Sequence, residues 1–161
     1  MKVCIVGAGA IGGYMAVRIA NAGHDVSVIA RGPHLAAIKA RGMKLIEEND
    51  EFVAENLTAT EFVGELGPMD VVLLALKAHQ IVPIVNDMSV LLGPNTVIVT
   101  LQNGIPWWYF QNFVGEYANR VVETVDPGGL LFKSIDPDRL IGCIAYPAAT
   151  ISKPGVIQHI E

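Results

Sequence analysis

The feature that most limits what this chain can fold into is Gly7-Ala8-Gly9-Ala10-Ile11-Gly12. This GxGxxG run lies between an apolar strand over Lys2 to Val6 and an amphipathic helix from about Ile11 to Ala22, the context in which the motif holds a dinucleotide. Gly7 permits the tight turn, Gly9 lets the backbone approach a pyrophosphate, and Gly12 lets the helix pack closely on the strand. The helix amino end then turns unpaired N–H groups and roughly half a positive charge toward the phosphates. Residues 7–12 are therefore candidate cofactor contacts as a unit.

The rest of the chain continues the alternation that the motif begins. A strand over Val26 to Ala30 precedes a helix from about Pro33 to Ala40, with Gly23 and Gly42 just past the two helices. Residues 43–62 read differently, as two polar-alternating stretches around Asn49-Asp50, which predicts an antiparallel hairpin decorating the edge. The parallel pattern resumes at Asp70 with VVLLAL, a helix from about Gln80 to Leu92, a turn at Gly93-Pro94-Asn95 and the strand TVIVTL. Pro106 is placed to open a helix bearing Trp107, Trp108 and Tyr109, and Val121 to Val125 reads as a short strand. RLIGCIAY and GVIQHIE close the chain as strand-like runs around Ser152-Lys153-Pro154-Gly155. The expected fold is α/β: one Rossmann-like, doubly wound, mainly parallel sheet with C-terminal strands, filling residues 1–161 as a single dinucleotide-binding domain.

Arg31 indicates the form of the cofactor. A site for NAD carries Asp or Glu about 20 residues beyond the glycines, on the ribose 2′-hydroxyl. Here the second strand ends Ile29-Ala30-Arg31-Gly32, with no carboxylate at its tip. A guanidinium fork matches the oxygens of a 2′-phosphate, so Arg31 points to NADP(H). Lys77 and Asn103 each follow an apolar strand, at the ends where open parallel sheets place ligands. Lys77 suits a phosphate or ribose; Asn103, with donor and acceptor, suits a carboxamide, a ribose or a substrate hydroxyl. A solvated lysine and a turn-forming Asn-Gly remain the plain alternatives. His79 reads as a capping or packing residue, and His24, His34 and His159 read as surface residues. Four adjacent aromatics, Trp107 to Phe110, cannot all face inward, so some apolar surface is expected for a second domain or a subunit contact such as a homodimer.

Composition narrows the partners. The 161 residues are 52% hydrophobic and 17% charged, which fits strands buried on both faces. The net charge of −5 argues against nucleic acid. No apolar run approaches the about 20 residues of a membrane crossing. Lys2 and Val3 begin a strand directly after Met1, so a cytoplasmic location is expected. Cys4 and Cys143 lie in apolar patterns without metal-ligand spacing, which predicts buried reduced thiols and no metal site.

Gly7 to Gly13, Arg31, LALKAHQ around Lys77, LQNGIPWW around Asn103 and IGCIAYPAATISKPGVIQHI together resemble the ketopantoate reductase (2-dehydropantoate 2-reductase) family. The resemblance implies NADPH-dependent reduction of a 2-keto acid, ketopantoate to pantoate, as in pantothenate synthesis. By position it makes Lys77 and Asn103 cofactor and active-site contacts, with Asn103 also reaching substrate, and Ala148 a cofactor-lining residue. The family's proton-donating lysine and a substrate-holding glutamate belong to a helical carboxy-terminal domain that has no counterpart in these residues. No catalytic residue is therefore assigned, and these residues alone are expected to bind cofactor without turnover. Residues 126–139 depart from the compact family pattern. A nucleotide-sensing module without chemistry and a reductase of another 2-keto acid are the competing readings.

Overall fold

The computed structural model describes residues 1–160. Strand β1 (Lys2–Val6) leads into helix α1 (Ala10–Asn21), and β2 (Asp25–Ile29) into α2 (Gly32–Arg41). Five strands follow: β3 (Met43–Ile46), β4 (Glu51–Ala54), β5 (Thr58–Thr60), β6 (Met69–Leu74) and β7 (Leu92–Thr100). The short helix α3 (Leu130–Ser134) precedes β8 (Leu140–Gly142), β9 (Ala149–Lys153) and β10 (Val156–His159).

Six strands form one sheet in the order β5-β2-β1-β6-β7-β8, with every neighbouring pair parallel. Counted among themselves they follow the doubly wound order 3-2-1-4-5-6, whose direction of winding reverses between β1 and β6. The unbroken apolar strands are explained by cover on both faces. Val3 and Ile5 of β1 belong to one core with Ala16, Val17 and Ile38, while Cys4 and Val6 belong to another with Ile81, Met88, Leu91 and Trp107. Burial pushes the Cys4 thiol up to about 12, so it stays protonated and inert. Cys143, just past β8, is only half-buried, contrary to the expectation for it.

The other four strands make a second sheet in the order β4-β3-β10-β9. The predicted hairpin forms over β3 and β4, but as part of this second sheet, while β5 leaves it to pair with β2. Burial decides this: Met43 and Leu45 turn inward against α1, where a Cβ on Gly13 would lie 2.6 Å from Ile157 and 3.0 Å from Met43. Only glycine lets the helix approach that sheet so closely. Gly42 makes the sharp exit from α2 at φ 72°, and a Cβ there would sit 2.3 Å from the Ala54 carbonyl oxygen.

Four local expectations are corrected. Residues 80–92 form not one α-helix but short 3₁₀ segments at Ala78–Gln80, Val82–Ile84 and Asp87–Leu91. Pro83 supplies no N–H, and the β-branched run around it disfavours a regular α-helix. Ile81, Val85, Met88 and Leu91 nevertheless share one buried face. Pro106 opens turns rather than a helix: Tyr109 N–H donates to Pro106 and Gln111 N–H to Trp108. Asn112, at φ 58°, ends that run, while Trp107 enters the core and Trp108 covers Gly142. Residues 121–125 are a turn, not a strand, because both Val125 and Asp126 N–H donate to Val122. The buried Asp126 then accepts from the Leu131 and Phe132 amides at 2.9 and 2.8 Å and starts α3. The predicted turn at Gly93-Pro94-Asn95 is absorbed into β7.

Two histidines read as surface residues are not. The His159 ring packs 5.1 Å from that of Tyr14, with Glu47 3.8 Å from its Nδ1. Half-buried His34 accepts the Gly155 N–H on Nδ1 at 3.1 Å, tying α2 to the turn between β9 and β10. Burial lowers the His34 pKa below 6.5, with the Ala8 backbone opposing that shift. No helix among the described residues is long and apolar enough to cross a membrane.

Candidate functional site

The glycine run forms the turn between β1 and α1 along the carboxyl edge of the parallel sheet. Gly7 adopts φ 103°, and a Cβ there would lie 2.7 Å from the Leu76 side chain. A Cβ on Gly12 would lie 2.0 Å from the Gly7 carbonyl oxygen, an overlap no relaxation of a side chain relieves. Gly9 is the opposite case, with nothing within 4 Å of the same point. Its open face adjoins the first turn of α1, which has no side-chain cap and no acidic residue. The free N–H groups there have no anionic competitor from their own helix. That open cradle fits a pyrophosphate.

Backbone bonds extend the sheet ladder past the strand ends and align the loops beside this cradle. Ala8 N–H donates to Ile29, Ala30 N–H to Thr60, Ala75 N–H to Val6 and Leu101 N–H to Leu74, all within 2.9 to 3.1 Å. Two cavities open along this edge and share Leu76. One, of about 540 Å³, is lined by Gly7, Gly9, Ala10, Ile11, Lys77 and Asn103 among others. The other, of about 310 Å³, has Val6, Ile29, Val63 and Ile84 for walls and Arg31, Glu61 and Asp87 as its charged side chains.

The expected site residues thus fall into place unevenly. Gly7, Gly9, Ala10, Ile11, Lys77 and Asn103 come together on one side of Leu76, and Arg31 lies on the other. Ala8 and Gly12 stand behind the loop, the first buried and the second closed against Gly7. Ala148 lines neither cavity; it precedes β9, where its carbonyl accepts the Ile160 N–H at 2.7 Å. Arg31 is exposed in the extended residue that precedes α2, and no carboxylate oxygen among the described residues comes within 4.0 Å of its guanidinium. Its charge is available to a ligand.

Gln102 was legible as part of a turn but not as a support. Its Nε2 donates to the carbonyls of Leu74 at 2.6 Å and Leu76 at 2.9 Å. Both partners are acceptors, so the amide orientation is unambiguous. The bonds tie the end of β7 to the chain that delivers Lys77. Gln80 closes the turn that starts at Lys77, its Oε1 accepting the Lys77 N–H at 3.1 Å. Glu61 and Asp87 escaped sequence reasoning altogether; the only local signal was that Glu61 directly follows a short strand. Among the described residues no three His, Cys, Asp or Glu side chains group as metal ligands.

Comparison with known proteins agrees with this geometry. The family model for ketopantoate reductase PanE/ApbA matches residues 3–161. A 2-dehydropantoate 2-reductase of Mesorhizobium japonicum is 48% identical over 100% of this chain and 49% of its own length. One from Pyrococcus abyssi is 37% identical over 98% of this chain and 44% of its own. A crystal structure of a ketopantoate-reductase-like protein from Ralstonia solanacearum superposes with a TM-score of 0.90 at 35% identity, covering 99% of this chain and 49% of that one. The chain spans about half the length of the curated relatives it matches. With a glycine cradle on a 3-2-1-4-5-6 sheet and a family match from residue 3 onward, the chain belongs to the ketopantoate reductase family.

Proposed function

We propose that these residues form the NADP(H)-binding part of a reductase that converts 2-dehydropantoate, a 2-keto acid, to pantoate. The observation that carries this reading is the pair of cavities meeting at Leu76 across the glycine cradle, with a free guanidinium in one and Lys77 and Asn103 in the other. A dinucleotide laid over the cradle would be held at its pyrophosphate by the amino end of α1, with the residues of one cavity on either side available to its two nucleosides. Arg31 takes the 2′-phosphate through paired N–H donors. When bound, the cofactor supplies the hydride that reduces the keto carbon.

The chain's own part in that step is orientation and charge. The Lys77 ammonium would donate to a ribose or phosphate oxygen, and the Asn103 amide to the substrate oxygen on which negative charge grows. Both side chains are exposed, so a keto acid held against them alone stays in contact with water. The 161 residues by themselves are therefore proposed to bind cofactor without efficient turnover. Titration of NADPH and NADH against the wild type, Arg31→Ala, Lys77→Ala and Asn103→Ala tests the reading. NADPH is expected to bind more tightly than NADH, and Arg31→Ala to remove that preference. Equal affinity of the wild type for both cofactors, or brisk NADPH consumption with 2-dehydropantoate by the 161 residues, overturns it.

A further inference from the structure

The Arg31 cavity contains more charge than a 2′-phosphate needs. Glu61 and Asp87 line it together with Arg31, yet neither carboxylate comes within 4.0 Å of the guanidinium. Glu61 is held where it is by backbone. Its neighbour Thr60 pairs in parallel register with Ile29, and the Thr60 carbonyl accepts the Ala30 N–H at 3.0 Å, so the chain leaves β5 beside the chain that leaves β2. The buried Thr60 hydroxyl accepts the Phe62 N–H at 3.1 Å and donates to the Glu65 carboxylate, which fixes the turn that carries Glu61. Asp87 enters from the start of the segment 87–91, which packs against residues 63–65 and whose Met88 and Leu91 are buried in the core.

The remaining wall is apolar: Val6, Ile29, Val63, Leu76 and Ile84 with the exposed ring of Phe62 and the backbone of Gly64. Such a slot suits a flat heteroaromatic ring, and anionic acceptors at its rim select a ring whose edge carries N–H donors. Resting on the cofactor reading above, we infer that Glu61 and Asp87 accept hydrogen bonds from the exocyclic amine of the purine and make this site selective for a 6-aminopurine dinucleotide over its 6-oxo counterpart. A carbonyl at that position offers no donor there; the N1–H that the 6-oxo ring gains can serve one carboxylate, whereas the amine has an N–H for each of the two. The same carboxylates repel the 2′-phosphate, so their effect is hidden in the affinity for NADPH alone and is visible only when two bases are compared on the same phosphate.

The test is a titration of NADPH against nicotinamide hypoxanthine dinucleotide phosphate (reduced form), which differs at the purine and shares the fluorescent dihydronicotinamide. Wild type, E61Q, D87N and the double variant are compared as ratios of the two dissociation constants, which cancels the common change in repulsion. Glu61 and Asp87 are exposed, and these substitutions keep their shape, so folding is conserved. The wild type is expected to prefer NADPH about fivefold to tenfold, the range for one or two solvent-exposed hydrogen bonds to charge. The double variant, whose amides can turn to donate to a carbonyl, is expected to bring the ratio to within twofold of one. A wild-type ratio near one, or a ratio unchanged in the double variant, overturns the inference while leaving NADP(H) binding intact. Failure of NADPH itself to bind removes the cofactor reading and this inference together.

Discussion

The two cavities that flank Leu76 are held open by different means. On the Arg31 side the walls are the ends of β1 and β2 and the turn after β5, joined by main-chain bonds that continue the sheet register. On the Lys77 side the Ala75 and Leu101 amides continue the register in the same way, but the rim beyond them depends on two side-chain amides, Gln102 donating to the Leu74 and Leu76 carbonyls and Gln80 accepting from the Lys77 N–H. Backbone register cannot be altered by one substitution at the rim, whereas a side-chain tie can. The half of the cleft assigned to the cofactor's identity is therefore the stiffer one, and the half assigned to the reaction can be loosened by itself.

Four substitutions test how far that division holds. The largest effect is expected where both halves share a support. Gly12→Ala sets a methyl 2.0 Å from the Gly7 carbonyl oxygen, so it should cost about 3 kcal/mol and lower the Tm by roughly 6 to 12 °C. Thermal melting checks this, and NADPH binding should fall with it. Arg31→Ala comes next: loss of a charge-assisted phosphate contact predicts NADPH affinity reduced about tenfold to a hundredfold with NADH affinity unchanged, measured by fluorescence titration.

Gln102→Leu addresses the other half. Two carbonyls lose their donor, and NADPH binding should weaken about fivefold while adenosine 2′,5′-bisphosphate binding stays within about twofold. Equal loss for both ligands, in calorimetric titration, would join the two cavities into one unit and break the comparison. The smallest effect is at His34, which lies outside both linings. Its pKa is lowered by burial, so the unfolded chain takes up the proton first. Stability from neutral His34 is complete above pH 6.5 and declines as the pH falls from there toward the depressed folded value. His34→Gln should flatten that part of a Tm-against-pH curve, and little change in NADPH affinity is expected.

The sequence was most readable where structure is local. A glycine loop between a strand and a helix needs only neighbouring residues to declare itself, and Arg31, Lys77 and Asn103 were found because each follows an apolar run. Helical propensity misled at residues 80–92 and 106–110, where buried faces are kept by 3₁₀ segments and turns without a regular helix. Neither Pro83 nor the adjacent tryptophans announce which turn type burial will choose.

What the sequence by itself determined is the glycine cradle, the alternation of strands with covering segments, and three polar residues at strand ends, because periodicity and glycine spacing are written in consecutive positions. Only the tertiary structure decided that β5 lies beside β2 while β3 and β4 join β10 elsewhere. That choice places Glu61 next to the chain bearing Arg31, and it follows from which strands can bury Met43, Leu45 and Ile157 against α1. Likewise, Gln102 becomes a support only once β6 and β7 are neighbours, since a side chain's partners 26 and 28 residues away are fixed by packing and not by spacing along the chain.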